Sequence, residues 1–140
     1  MKIIAQQNRA GRLPAFTLTE LLIVLVIVGI LILMALPVLM PLISRTRSVE
    51  AKQMLTHLQT LQKTYFYEHS RYATDLGDIG FEQEKLATEN GKANYRIEIL
   101  SAGPTNFQAR ATAVVDFDGD GVYNVWEIDQ DQTLTETTKD

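Results

Sequence analysis

The chain has 140 residues, 17 acids against 13 bases for a formal net charge of −4, and no cysteine. That length holds one small domain beside a membrane segment, not two. The charge argues against general nucleic-acid binding, and the lack of cysteine excludes disulfide staples and a cysteine nucleophile.

The first fifteen residues, MKIIAQQNRAGRLPA, carry only Lys2, Arg9 and Arg12 as charges. Basic residues beside a membrane span tend to stay in the cytoplasm, which predicts the N-terminus inside and the C-terminal part outside. Arg45, Arg47 and Lys52 follow the apolar stretch on its other side, but there Glu50 offsets them. Phe16–Ile43 comes next, and from Leu21 to Ile43 no side chain is charged or hydrogen-bonding. About 20 apolar residues suffice to cross a bilayer as a helix. The run is too long for the apolar region of a secretory signal peptide, roughly 7–15 residues, and no small-x-small cleavage site closes it. A plain single-span anchor fits the length but leaves Glu20, just inside the leading edge, as an idle boundary acid.

Pro14-Ala15-Phe16-Thr17-Leu18-Thr19-Glu20-Leu21-Leu22 resembles the cleavage and methylation signature of type IV prepilins and pseudopilins. The resemblance implies a leader of residues 1–15, cut by a prepilin peptidase between Ala15 and Phe16. It also implies N-methylation of Phe16 and an assembly role for Glu20. Family members usually carry Gly before the cut, where this chain has Ala15. Cutting after Gly11 instead would expose Arg12 and break the spacing to Glu20. A freed amine at Phe16 and the Glu20 carboxylate are opposite charges in a low-dielectric setting, where removing one partner of a pair is costly. Paired between neighbours that do not close into a ring, they build a helical filament. Gly29, Pro37 and Pro41 are helix-weakening residues, read either as bends in an anchor or as places where the helix yields during assembly.

From Ser44 to about Glu68 the pattern is that of an amphipathic helix. Val49, Ala51, Met54, Leu55, Leu58, Leu61, Tyr65 and Phe66 recur mostly three and four apart, with Glu50, Lys52, Gln53, Gln59 and Lys63 on other faces. Tyr65-Phe66-Tyr67 reads as packing, and His57 and His69 lack a ligand set. Residues 70–90 read as loop. Tyr72–Phe81 is similar to the Y-P-T-x-L-x-x-L-G segment of pseudopilins and related pilins, with Ala73 in place of proline. Asn90-Gly91 is a turn signal. The period then becomes two: Tyr95, Ile97 and Ile99, then Phe107, Ala109, Ala111, Ala113 and Val115, with a third strand through Val122–Ile128. Short turns between them predict an antiparallel meander packed on the helix, an α+β fold. The expected division is leader 1–15, membrane and assembly helix 16–43, amphipathic continuation 44–69 and globular head 70–140.

Asp116–Glu127, DFDGDGVYNVWE, satisfies the D-x-D-x-D-G-x5-E calcium-loop pattern. Calcium takes six to eight hard oxygens. Asp116, Asp118 and Asp120 would supply carboxylates, Val122 a carbonyl, Asn124 a direct or water-mediated contact and Glu127 a bidentate carboxylate. The other reading is a hairpin turn, since Asp-Gly is a favoured turn sequence and the flanks have the period of strands. No catalytic motif is present, and acids without a cleft say little. The sequence therefore predicts a non-enzymatic subunit of a type IV pilus-like filament, with no cofactor required beyond possible Ca2+. By resemblance its partners are copies of itself, the peptidase and methyltransferase, the membrane and an inner-membrane assembly machinery. Before assembly it would span the inner membrane with a periplasmic head. A pseudopilin of a secretion system and a monomeric membrane-anchored periplasmic binding module are the alternatives.

Overall fold

The computed structural model describes residues 15–140. Most of the predicted leader, with Lys2, Arg9, Gly11, Arg12 and Pro14, lies outside the described residues. One helix, α1 (Leu18–His69), is followed by two single 3-10 turns at Gly77–Ile79 and Ala87–Glu89. Four strands come next: β1 (Tyr95–Ala102), β2 (Phe107–Ala113), β3 (Val125–Asp129) and β4 (Leu134–Thr138). The chain divides into one unit ending at Leu36 and another, Pro37–Asp140. Each is described by itself.

In the first unit α1 is apolar on every side. Leu18, Leu21, Leu22, Ile23, Val24, Leu25 and their successors to Leu36 are exposed all round the helix. A helix without a polar face is at home only in a protein core or a bilayer. This one is long and apolar enough to cross a membrane. Gly29 sits in open space: a methyl group there would meet nothing within 4 Å. Nothing among the described residues therefore requires glycine at that position. The helix assignment continues through Pro37 and Pro41, although each proline lacks the N–H that the ladder needs.

In the second unit the sheet is an antiparallel meander in the order β1-β2-β3-β4. Alternation decides which face is buried. Tyr95 and Ile97 on β1, Phe107, Ala109, Ala111 and Ala113 on β2, and Trp126 and Ile128 on β3 point to one side. There they join Ala51, Leu55 and Leu58 of α1 in a single core. The three alanines have little side chain to hold a helix off the sheet, so the larger Leu55 and Leu58 fill the space. Lys52 adds its ammonium over the Trp126 ring, 4.2 Å from the centroid, a cation–π contact. Tyr72 stacks on Phe66 at 4.8 Å and lies 5.0 Å from Phe107, which makes the loop segment beginning there part of the packing. Gly91 completes the Asn90 turn: a Cβ there would lie 1.8 Å from the Lys85 carbonyl oxygen, so only glycine fits.

The structure corrects three sequence expectations here. Val49 is 48% exposed, whereas Gln59, assigned to a polar face, is 1% exposed. The buried stripe is turned toward Gln59 and Gln62 because these side chains satisfy buried or half-buried polar groups. Gln62 donates to the Ala73 carbonyl at 2.8 Å and accepts from the Ala73 N–H at 2.9 Å. Gln59 accepts from Gln132 at 2.8 Å. The third strand starts at Val125, not Val122, because the acidic loop occupies the residues before it. A fourth strand, Leu134–Thr138, was not expected: LTETT has one apolar residue, but its threonines suit an edge strand. At the opposite edge Gln83 accepts from the Ile97 N–H at 2.9 Å and donates to the Tyr95 carbonyl at 3.1 Å. It thereby occupies part of an edge that would otherwise invite another strand.

Gln62→Leu keeps the volume but strands the N–H and C=O of Ala73. It should cost about 2 kcal/mol or more, whereas Val49→Ser on the exposed face should stay within about 0.5 kcal/mol. Urea unfolding of the full chain in micelles separates the two, and equal losses would place the buried face of α1 wrongly.

Candidate functional sites at the helix start and in the acidic loop

Ala15, Phe16 and Thr17 precede α1 without helical structure, and the Phe16 side chain is 87% exposed. Thr17 is the N-cap. Its hydroxyl accepts from the Glu20 N–H at 3.2 Å, while the Glu20 Oε2 accepts from the Thr17 N–H at 2.9 Å and from the Thr17 hydroxyl at 3.0 Å. The Thr17 carbonyl takes the first helical bond, from the Leu21 N–H at 3.2 Å. Two otherwise orphaned backbone donors are thus satisfied reciprocally, as in a capping box. Sequence reasoning passed over Thr17, although the signal was present: threonine followed three residues later by glutamate at the head of an apolar run. Both bonds to Glu20 go to Oε2, and Oε1 has no partner among the described residues.

The acidic loop connects β2 to β3. Asp116 accepts from the Gly119 N–H at 2.6 Å on Oδ1 and from the Gly121 N–H at 2.8 Å on Oδ2. Asp118 accepts from the Asp120 N–H at 3.0 Å, and Asp120 from the Val122 N–H at 2.7 Å. Gly119 and Gly121 take φ of 83° and 87°, a region that glycine enters without steric cost. The loop folds around its own acids. Asp140 joins them from beyond β4: its Oδ2 accepts from the Phe117 N–H at 3.0 Å, and its backbone oxygen accepts from the Ser44 hydroxyl of α1. One carboxylate oxygen from each of Asp116, Asp118, Asp120 and Asp140 lies within 4.8 Å of the others. The Asp140 Oδ1 is buried and has no partner among the described residues. Beside them is a cavity of about 530 Å³, to which Arg45, Lys52 and Lys139 contribute cations.

Of the six residues in the calcium pattern, three aspartates come together. Val122 is exposed and engages the loop through its N–H. Asn124 is fully buried: it accepts from the Tyr95 hydroxyl at 2.8 Å and donates to Glu136 at 2.8 Å and to the Thr138 carbonyl at 3.1 Å. Glu127 stands on β3 with both oxygens in use. Its Oε1 meets Arg110 Nη2 at 2.7 Å and Nε at 2.8 Å, and its Oε2 accepts from Gln108 at 2.9 Å. Strand pairing sets these partners, since Arg110 lies directly across from Glu127. Asp140 lies outside the sequence pattern; it is 20 residues past Asp120 in sequence, and no local spacing brings it in.

The acids differ in their protonation. The amides of Gly121 and Gly119 hold the Asp116 carboxyl below the ordinary carboxylate range. At Asp118 the Asp120 amide pulls downward, but desolvation and the charges of Asp120, Asp140 and Asp116 outweigh it, and the carboxyl is raised. Burial, and then the Glu50, Asp140 and Glu136 carboxylates, push the Tyr95 phenol far up. It therefore stays a donor to Asn124 at any ordinary pH.

No protein-family model matches the chain. Over 70 residues it is 43% identical to the type IV major pilin protein PilA of Myxococcus xanthus (strain DK1622). The chain is pilin-like in sequence and in fold. The match covers 50% of this chain and 32% of that pilin, so the chain spans about a third of the relative's length. The long apolar N-terminal helix and the antiparallel sheet are the pilin-like features of its architecture.

A carboxyl with a lowered folded pKa contributes stability above its unfolded pKa and loses it as pH falls through the folded value. For Asp116 that loss falls below about pH 4. Proteolysis of the 116–121 loop should therefore accelerate as pH drops below that point in the wild type, and less steeply in Asp116→Asn. Identical acid profiles would mean that the two glycine amides contribute nothing.

Proposed function

We propose that this chain is a structural, non-enzymatic subunit of a type IV pilus-like filament. The observation that supports it most is the 43% identity to a major pilin, together with a helix, apolar on every side, whose leading edge carries one acid. In this reading a prepilin peptidase cuts between Ala15 and Phe16, and Phe16 is methylated. The helix then passes from the inner membrane into a filament core. The membrane contributes the apolar surroundings and the N-terminus starts in the cytoplasm, with the sheet domain periplasmic. Burial in lipid or in a packed filament both satisfy an all-apolar helix, so the transfer is not opposed by solvation. Register is a different matter, because apolar packing has little direction. The Phe16 amine of one copy and the Glu20 carboxylate of a neighbour would set it, with Glu20 Oε1 as the free acceptor.

Mass spectrometry of the native protein tests processing: a methylated Phe16 start is expected, and a start at Met1 would favour a retained anchor. Glu20→Ala should still insert in the membrane but give at least tenfold less polymer, since stranding one partner of a desolvated pair costs about 3–5 kcal/mol. Normal polymer from that variant would remove the acid from assembly.

A second reading rests on the acidic loop. We propose that Asp116, Asp118, Asp120 and Asp140 hold Ca2+. The buried, unpartnered Asp140 Oδ1 supports it, because a divalent cation would supply what that oxygen lacks. Four carboxylates are hard donors of the kind calcium takes, with water or carbonyl oxygens completing six to eight. Bound there, the ion would tie the loop to Asp140 and thereby to Ser44 of α1. At a calcium concentration one hundred times Kd the full chain should gain about 2.7 kcal/mol, read as a rise in Tm that Asp118→Ala and Asp140→Asn abolish. Glu127→Gln should leave the calcium response intact. A response that needs Glu127 but not Asp140 would overturn this ligand set.

A further inference from the structure

We propose that Thr17 positions the bond between Ala15 and Phe16 for cleavage by fixing where the helix begins; this rests on the processing reading above. Cleavage adds one water across that bond: Ala15 leaves with the new carboxylate, and Phe16 keeps the nitrogen as the new amine. The enzyme must reach the Ala15 carbonyl carbon, and a backbone outside regular helix presents it. In the structure the reciprocal bonds between Thr17 and Glu20 start α1 at Leu18, so Ala15 and Phe16 remain outside it.

The sequence contains a competing start. Proline is suited to the first helical position, because its φ is already helical and its missing N–H is not needed there. A helix begun at Pro14 would draw the Ala15–Phe16 bond into its first turn, with the Ala15 carbonyl engaged by a donor four residues on. The residue left to cap that rival helix is Leu13, and leucine is among the poorest N-caps, whereas threonine is a good one. The Thr17 hydroxyl, returned by Glu20, therefore decides between two helix starts, one of which hides the scissile bond. Thr17 acts here as a positioning residue, not a catalytic one.

The test is cleavage of the full chain in membrane vesicles by a prepilin peptidase, with KM and kcat measured separately. Thr17→Val keeps the shape and removes the hydroxyl. Because only the uncovered fraction of substrate is competent, KM should rise by up to about fivefold, the factor that a typical cap supplies, while kcat is unchanged. Thr17→Ser and Thr17→Asp, which both cap, should restore it. Backbone carbon shifts at Ala15 and Phe16 in micelles should move toward helical values in Thr17→Val alone. A Thr17→Val chain with wild-type KM and unmoved shifts would sink the proposal, as would a Thr17→Asp chain no better than Thr17→Val, which would mark a simple fit of the side chain to the enzyme. Wild type that is not cut after Ala15 would instead remove the processing reading itself.

Discussion

The absence of a polar face on the first half of α1 is the constraint on which the rest depends. An amphipathic helix can finish folding by laying one stripe on its own sheet. A helix with leucine, isoleucine and valine all round has no such solution, and its side chains to Leu36 are exposed among the described residues. Each fully buried side chain of that kind is worth about 1.5–3 kcal/mol, so the unmet burial across this segment is large. Lipid or other copies of the same helix can meet it, and the free energy gained scales with area but carries almost no positional information. Whatever polar groups lie along that surface must then supply the positional information, and within the span only its leading edge offers any.

There the Thr17–Glu20 box resolves an apparent waste. A carboxylate at the edge of an apolar span is costly without a partner, and the anchor reading leaves it idle. In the structure it satisfies the Thr17 N–H and hydroxyl through one oxygen and keeps the other uncommitted. An acid held in this way is already oriented. In the proposed assembly less entropy would then be lost on pairing with an amine. Carboxylates in the acidic loop of the sheet unit follow the same logic: Asp116 and Asp120 are held by backbone N–H groups of glycines and of Val122. Their charges are fixed in place more than they are neutralised; at Asp118 desolvation, and then the neighbouring carboxylates, outweigh the pull of the Asp120 amide.

Much of this fold was legible because period and burial coincide. Ala109, Ala111 and Ala113 alternate in sequence and lie buried on one face, and Leu55 and Leu58 meet them at helical spacing. The reading weakened where polar side chains do structural work. Gln59 and Gln62 look like solvent-facing residues until the loop carbonyl and N–H that they satisfy are in place, and those come from Ala73 and from residues beyond Asp129. Strand β4 was hidden for a related reason. Its inward residue Glu136 is polar and pairs with buried Asn124, so no apolar alternation marks the strand. The calcium pattern was half informative: its first three acids form one local loop, but Asn124 and Glu127 lie where the strand register carries them, and Asp140 reaches the cluster only through the sheet. Local spacing can specify a turn; it cannot specify which distant side chain the turn will meet.

Gly29 and the two prolines weaken the helix that contains them. Gly costs a helix about 1 kcal/mol relative to alanine and proline about 3, and such residues normally repay that cost in a turn or a close contact. Gly91 does so visibly, since no side chain fits against Lys85. Gly29 does not: an added methyl group would touch nothing among the described residues. If the helix ended its life as an isolated anchor, alanine at that position would be better by propensity alone. In the proposed filament that cost would be recovered if a neighbouring helix approached the Gly29 backbone closely, or if the segment loosened when its surroundings changed. Close approach between helices is what small residues allow in a membrane, which is the arrangement the filament reading requires of this segment.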